Sequence, residues 1–139
     1  MIDHLHLSPH QVEALLAYLP HFEAPDFSAG AWHRGPQAIP IYTYSPSVQH
    51  FLQTLDQLDI IQPFDWGAWS HKASDLIEGR GIDEADQATL HKLLIAHVRA
   101  DRFIEGQLAS ALQAGHITAI LRRLRDLHAQ ETQTSLPIS

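Results

Sequence analysis

The chain has 139 residues, 45% apolar and 18% charged, a globular composition that excludes disorder along its length and suffices for one domain with its own core. The absence of cysteine excludes disulfides, thiolate metal sites and a cysteine nucleophile. The net charge of −7 is uneven: residues 1–89 carry three basic and twelve acidic side chains and residues 90–125 six basic and two acidic, a polarity able to steer an anionic partner to the C-terminal half.

The start, Met1-Ile2-Asp3-His4, has neither the basic residues nor the apolar run of a signal peptide, and no apolar stretch reaches the ~18 residues of a membrane span. The expectation is a soluble, cytoplasmic protein with no membrane association. Eleven histidines are scattered except for His4-x-His6-x-x-x-His10. With only Asp3 beside it, that trio reads as surface histidine rather than as a metal site.

Helix signals then recur in chain order. Ser8-Pro9-His10-Gln11 combines an N-cap serine, a proline at the first helical position and a capping-box glutamine. Val12, Leu15, Leu16 and Leu19 follow at helical spacing, and Pro20 is expected to close the run. Phe22 to Tyr44 is rich in Pro, Gly and aromatics and too apolar for a free linker. It is expected as a packed loop, with Ile39 to Tyr44 as a short extended piece.

Ser45-Pro46 opens a second helix carrying Val48, Phe51, Leu52, Leu55 and Leu58. Asp65 caps a third, with Trp66, Trp69, Ala73, Leu76 and Ile77 as its stripe and Gly79 as its stop. A fourth starts near Asp83 and presents Leu90, Leu93, Leu94, His97 and Val98. The fifth carries Ile104, Leu108, Ala111 and Leu112, with Gly115 as left-handed C-cap. The sixth carries Ile117, Ile120, Leu121, Leu124 and Leu127. The expected fold is therefore all-α, a compact domain of five or six helices with a packed aromatic loop before the second, spanning residues 1–139 with flexible tails at 1–7 and 130–139.

The stretch His97-Val98-Arg99-Ala100-Asp101-Arg102-Phe103-Ile104-Glu105-Gly106 puts five ionisable groups into ten residues between two apolar helical runs. Charges so close to a core are paired or used, because burying one alone costs several kcal/mol.

Ile39-Pro40-Ile41-Tyr42, Pro63-Phe64-Asp65-Trp66, the His97–Gly106 stretch, Gly115-His116-Ile117 and Ile120-Leu121-Arg122-Arg123-Leu124 occur in that order. Over roughly residues 36–127 they resemble a family of small bacterial proteins catalogued as a domain of unknown function. Its core motif is Asp-Arg-Phe-x-Glu-Gly at Asp101 to Gly106. The resemblance implies a bacterial or phage-related origin and no activity.

The residues themselves allow several readings. His97, Asp101 and Glu105 lie at i, i+4 and i+8, and on one continuous helix they would form a drifting stripe spread over ~12 Å of rise, too far apart to converge on one ion. With no Glu-x-x-His pair or His-Glu-x-x-His motif, no metal and no cofactor are expected. A structural corner, with Arg102 paired to Glu105 or Asp65, is the favoured account of the cluster. An enzyme using His97 or His116 as base with Asp101 or Glu105 is the rival, unsupported by any nucleophile elbow or phosphate loop. Arg122, Arg123 and Arg125, with Gln113-Ala114-Gly115 as a turn, could contact phosphates. The acidic total and Asp126 favour a solvated helix face, so nucleic acid is not the expected partner.

The expectation is thus a small binding or regulatory module, its partner a protein or a small anionic ligand. The groove candidates are Asp65, Trp66, His97, Arg99, Asp101, Arg102, Glu105 and His116.

Overall fold

A computed structural model describes residues 6–34 and 39–135. His4 of the histidine trio, and residues 1–5 and 136–139 of the tails expected at 1–7 and 130–139, lie outside the described residues. The first elements are helices α1 (Pro9–Leu16) and α2 (Leu19–Glu23) and strands β1 (Gly30–Arg34) and β2 (Pro40–Tyr44). Then come α3 (Pro46–Gln57), α4 (Trp66–Lys72), the single turn α5 (Ser74–Ile77), a 3-10 turn Ile82–Glu84, α6 (Gln87–Ala100), α7 (Gln107–Gln113) and α8 (His116–Ser135).

The helix starts follow the sequence signals. Ser8 accepts the Gln11 N–H at 3.2 Å while the Gln11 side chain accepts the Ser8 N–H at 2.8 Å, a complete capping box. Asp65 accepts from Ala68 N–H at 3.2 Å at the start of α4, and Asp86 from Thr89 N–H at 2.9 Å at the start of α6. Those bonds satisfy backbone donors that the first turn of a helix leaves open. Gly79 and Gly115 stand at the predicted stops with φ of +93° and +86°.

Helix α8 is the element on which the rest assemble: α1, α2, α6 and α7 pack against it. It buries Ile117, Ile120, Leu121 and Leu124 against Val12 and Leu15 of α1 and Leu90, Leu93 and Leu94 of α6, with Phe51 and Leu55 of α3 in the same core. Phe22 and Phe51 meet edge to face at 5.2 Å, and Tyr18 and Phe27 complete that aromatic cluster. Polar bonds lock it at the margins: Gln11 Nε2 donates to the Leu58 carbonyl at 2.8 Å, and Arg123 Nε donates to the Ala85 carbonyl at 2.9 Å.

Several expectations need correction. The chain is mainly helical but not all-α, because the expected aromatic loop contains an antiparallel hairpin that sets Trp32 opposite Tyr42 and Gly30 opposite Tyr44. Trp32, Tyr42 and Tyr44 alternate with Ile41 and Thr43, a period-two pattern of aromatic and β-branched residues that suits a half-buried sheet. Gly30 is obligatory there, since its φ is +152° and a Cβ would lie 2.1 Å from the Thr43 carbonyl oxygen. Pro20 does not end a helix but stands in the first turn of α2, where its missing N–H costs nothing. The third predicted helix breaks at Ala73, and the fourth starts at Asp86 rather than Asp83, after the 3-10 turn. Leu7 is a core residue, its N–H donating to Gln87 Oε1 at 3.2 Å, and α8 runs past Gln130 to Ser135.

Candidate functional site

The charged stretch is not one helical stripe. Helix α6 ends at Ala100, and residues 101–106 form consecutive turns before α7. Gly106, with φ +86°, reverses the chain and stands at the N-cap position of α7, where it has no side chain to offer. Asp101 supplies the missing cap from the end of α6: its Oδ1 accepts the Leu108 N–H at 3.0 Å. The same oxygen accepts the Tyr44 hydroxyl at 2.6 Å, tying β2 to the α6–α7 junction. Burial first, then the hydrogen bond and charge of Asp101, hold the Tyr44 phenol far above the ordinary tyrosine range. Tyr44 therefore stays a neutral donor.

This turn separates the charges. Arg99 is half-buried and Arg102 exposed, and among the described residues neither forms an ion pair. The expected pairing of Arg102 with Glu105 or Asp65 is not made. With the helix ended at Ala100, residues 102 and 105 no longer share a helical face, and Asp65 is committed to capping α4.

Arg99 and Arg102 instead line a groove of about 370 Å³ with Asp101 and Asp56. Its apolar side comes from Leu52 and Leu55 of α3, Ile61, Val98 and Leu108. Asp56 is exposed on α3, whereas Asp101 already serves Tyr44 and Leu108. The guanidinium groups are thus the uncommitted polar groups of the groove together with Asp56.

Glu105 faces a second hollow of about 300 Å³, built by Trp32 and Tyr42 of the hairpin, the 104–106 turn and α7. Its Oε2 accepts the Tyr42 N–H at a long 3.4 Å. The indole of Trp32 lies across Gly106, so closely that a Cβ there would sit 2.9 Å from Trp32 Cζ2. Gly106 is therefore required twice, by its φ and by this contact.

His97 and His116 form a third, separate feature. Their rings lie 6.0 Å apart, and His116 packs over the backbone of Gly79, where a Cβ would fall 2.6 Å from its Nε2. His97 is 3% exposed and its Nε2 has no hydrogen-bond partner among the described residues. Burial, and secondly the neighbouring His116, push its imidazole down to about 4, so it is neutral at pH 7. No hydrogen bond links either histidine to Asp101 or Glu105, and among the described residues no three His, Asp or Glu side chains gather as a metal-binding group.

The other candidates are placed as follows. Trp66 lies beside the exposed Phe103 with ring centroids 5.8 Å apart and planes tilted by 36°, while Trp69 packs against the core and Phe64. On α8, Arg122 donates to Glu23 at 2.6 Å, Arg123 holds the Ala85 carbonyl, and Arg125 lies 3.3 Å from Asp126. Among the described residues, no helix is long and apolar enough to cross a membrane.

Sequence reasoning missed Tyr44, Trp32, Tyr42 and Asp56. The first three carried a legible signal, the aromatic alternation of the hairpin. Asp56, one exposed carboxylate on α3, carried none.

The turn at Asp101 to Gly106 and the hairpin segment before α3 are both within the span of a family model that matches residues 7–130. The chain belongs to the family of unknown function DUF6508. The match begins at the buried Leu7 and takes in α1, α2 and both strands of the hairpin, so this DUF6508 domain is wider than the 36–127 segment that carries the motifs. No curated protein matches the chain, and no solved structure matches it.

Proposed function

We propose that this DUF6508 protein is a binding module whose ligand is a small amphipathic anion, held in the groove between α3 and the α6–α7 corner. The observation that carries this reading is the pair Arg99 and Arg102, lining a groove with an apolar wall and making no ion pair among the described residues. A guanidinium presents a planar fork of donors that matches a carboxylate or phosphate. Leu52, Leu55, Val98 and Leu108 offer an apolar wall for the body of such a ligand, and Asp56 offers an acceptor to any donor it carries. Arg99 lies in the last turn of α6, so it also offsets the partial negative charge of that helix end, and Arg102 adds the second cation.

His97 gives the alternative, an enzyme using His97, Asp101, Glu105 and His116, less support than the arginines give a binding module: it is buried and neutral, with the His116 ring 6.0 Å away and no hydrogen bond to a carboxylate among the described residues.

Titrating hexanoate and hexanol separately into labelled protein, with backbone amide shifts as readout, tests the proposal. Hexanoate is expected to shift residues 98–102 and 52–56 saturably. The Arg99→Gln/Arg102→Gln double variant is expected to bind it at least tenfold more weakly, since a hydrogen bond to a charged group contributes about 1.5–3 kcal/mol. Because Arg102 is exposed and unpaired, Arg102→Gln alone should change stability by less than about 0.5 kcal/mol. Equal binding of hexanol, or an unweakened double variant, would refute the reading.

A further inference from the structure

The hollow on the other side of the Asp101–Gly106 turn has a different chemistry, and Arg99 and Arg102 take no part in lining it. Trp32 and Tyr42 are cross-strand partners, so the hairpin register itself fixes them side by side. Their ring centroids are 5.2 Å apart and their planes meet at 81°. Two rings at right angles present π-faces on two sides of one corner, and such faces carry negative charge density that attracts a cation. Glu105 completes the lining with a formal negative charge. Among the described residues no Lys, Arg or His pairs with that carboxylate, and its one polar contact is the 3.4 Å bond from Tyr42 N–H, made by Oε2.

The walls are held by bonds that need no ligand. Ala29, just before β1, donates its N–H to Gln113 Oε1 at 2.7 Å, which fastens the hairpin to the end of α7. Tyr44 fastens the other strand to Asp101, and Gly106 lets the indole lie directly on the turn. Despite these constraints Trp32 is 54% exposed, so an aromatic surface stands open beside an unpaired carboxylate. A site preorganised in this way spends little ordering entropy on binding.

We propose that the Trp32–Tyr42–Glu105 corner binds a quaternary alkylammonium group. A compact, weakly hydrated quaternary ammonium suits an angular two-ring corner, whereas a flat guanidinium would lie on one ring and leave the other unused. The cavity of about 300 Å³ is at the lower end of ligand-sized pockets, which fits a head group rather than a large molecule. The net charge of −7 adds a long-range field of the right sign.

The test uses choline chloride and its neutral isostere 3,3-dimethylbutan-1-ol at matched ionic strength, followed by the Trp32 indole and Gly106 amide resonances. Choline is expected to shift both saturably and to bind roughly tenfold more tightly than the alcohol, the scale of a cation–π contact assisted by one carboxylate. Glu105→Gln, at an exposed position, should weaken choline about tenfold and leave the alcohol unchanged. Trp32→Ala should abolish choline binding. Trp32→Phe, which keeps a ring in the corner, should retain part of it and guards against a folding defect in the alanine variant. Equal affinity for choline and the alcohol would mean an apolar pocket and overturn the proposal. So would choline that leaves Trp32 unmoved, or a Glu105→Gln variant that binds it normally.

Discussion

Asp101 gives the sharpest test of how this corner is built. Its Oδ1 accepts two donors from elements distant in sequence, the Tyr44 hydroxyl at 2.6 Å and the Leu108 N–H at 3.0 Å. Asp101→Ala removes a helix cap, worth about 1 kcal/mol, and strands a half-buried phenol that has lost a charge-assisted bond, costing about 2 kcal/mol more. The sum, about 3 kcal/mol, is a large share of the 5–15 kcal/mol that holds a typical domain together, and for a chain of this size it lowers Tm by roughly 10 °C. Tyr44→Phe removes only the second contribution and should cost about 2 kcal/mol, two-thirds as much, since Asp101 can still cap α7. Thermal unfolding followed by circular dichroism measures both. A second readout isolates the Tyr44 bond: its phenol is held above the usual range by burial and then by Asp101, so in Asp101→Asn phenolate absorbance should appear at lower pH than in wild type. An Asp101→Ala variant melting within 2 °C of wild type would refute the idea that one carboxylate fastens hairpin, helix end and helix start together.

His97 sets an acid limit on stability. Its folded pKa, about 4, lies below its unfolded value of 6.5, so the unfolded chain binds the proton more readily between those values. Stability from this group is complete above about pH 6.5 and falls as pH drops towards 4, by about 3 kcal/mol in all; a His97→Gln variant whose stability falls just as steeply over pH 4–6.5 would show another group responsible. Gly106→Ala should cost about 2–3 kcal/mol, because it combines a left-handed φ with a Cβ 2.9 Å from the Trp32 ring, and should shift the Trp32 fluorescence; an unperturbed indole would contradict that contact.

What could be read in the sequence was what local chemistry determines. Ser8, Asp65, Gly79 and Gly115 do in the structure what their residue types announce, because a cap or a left-handed stop depends on neighbours within a few positions. The stripe Ile117, Ile120, Leu121 and Leu124 was equally plain, since burial along one helix face repeats every 3.6 residues. The hairpin was obscured by its strands of five residues each and by the prolines and glycines around them, although Trp32, Tyr42 and Tyr44 carry its alternation. The site was legible as a location and not as an arrangement. Helical periodicity through His97, Asp101 and Glu105 suggests one face, yet the helix stops between the first and second of the expected repeats. The decisive contact, Asp101 with Tyr44, spans 57 residues and has no local signature.

The failure of that periodicity is also what leaves the polar groups available. On a continuous helix Arg102 and Glu105 would be neighbours one turn apart and would neutralise each other. The chain instead leaves α6 at Ala100, and Asp101 anchors the turn so that α7 starts only after the reversal at Gly106. Arg99 and Arg102 are then presented to the groove beside α3, while Glu105 is presented to the aromatic corner of the hairpin. Two hollows of different chemistry are therefore separated by one six-residue turn, residues 101–106, and the turn keeps Arg102 and Glu105 from pairing across it. A helical splice that restored continuity from Ala100 into α7 would let the arginine and the glutamate pair and would silence both hollows together, whereas a change confined to either lining would silence one.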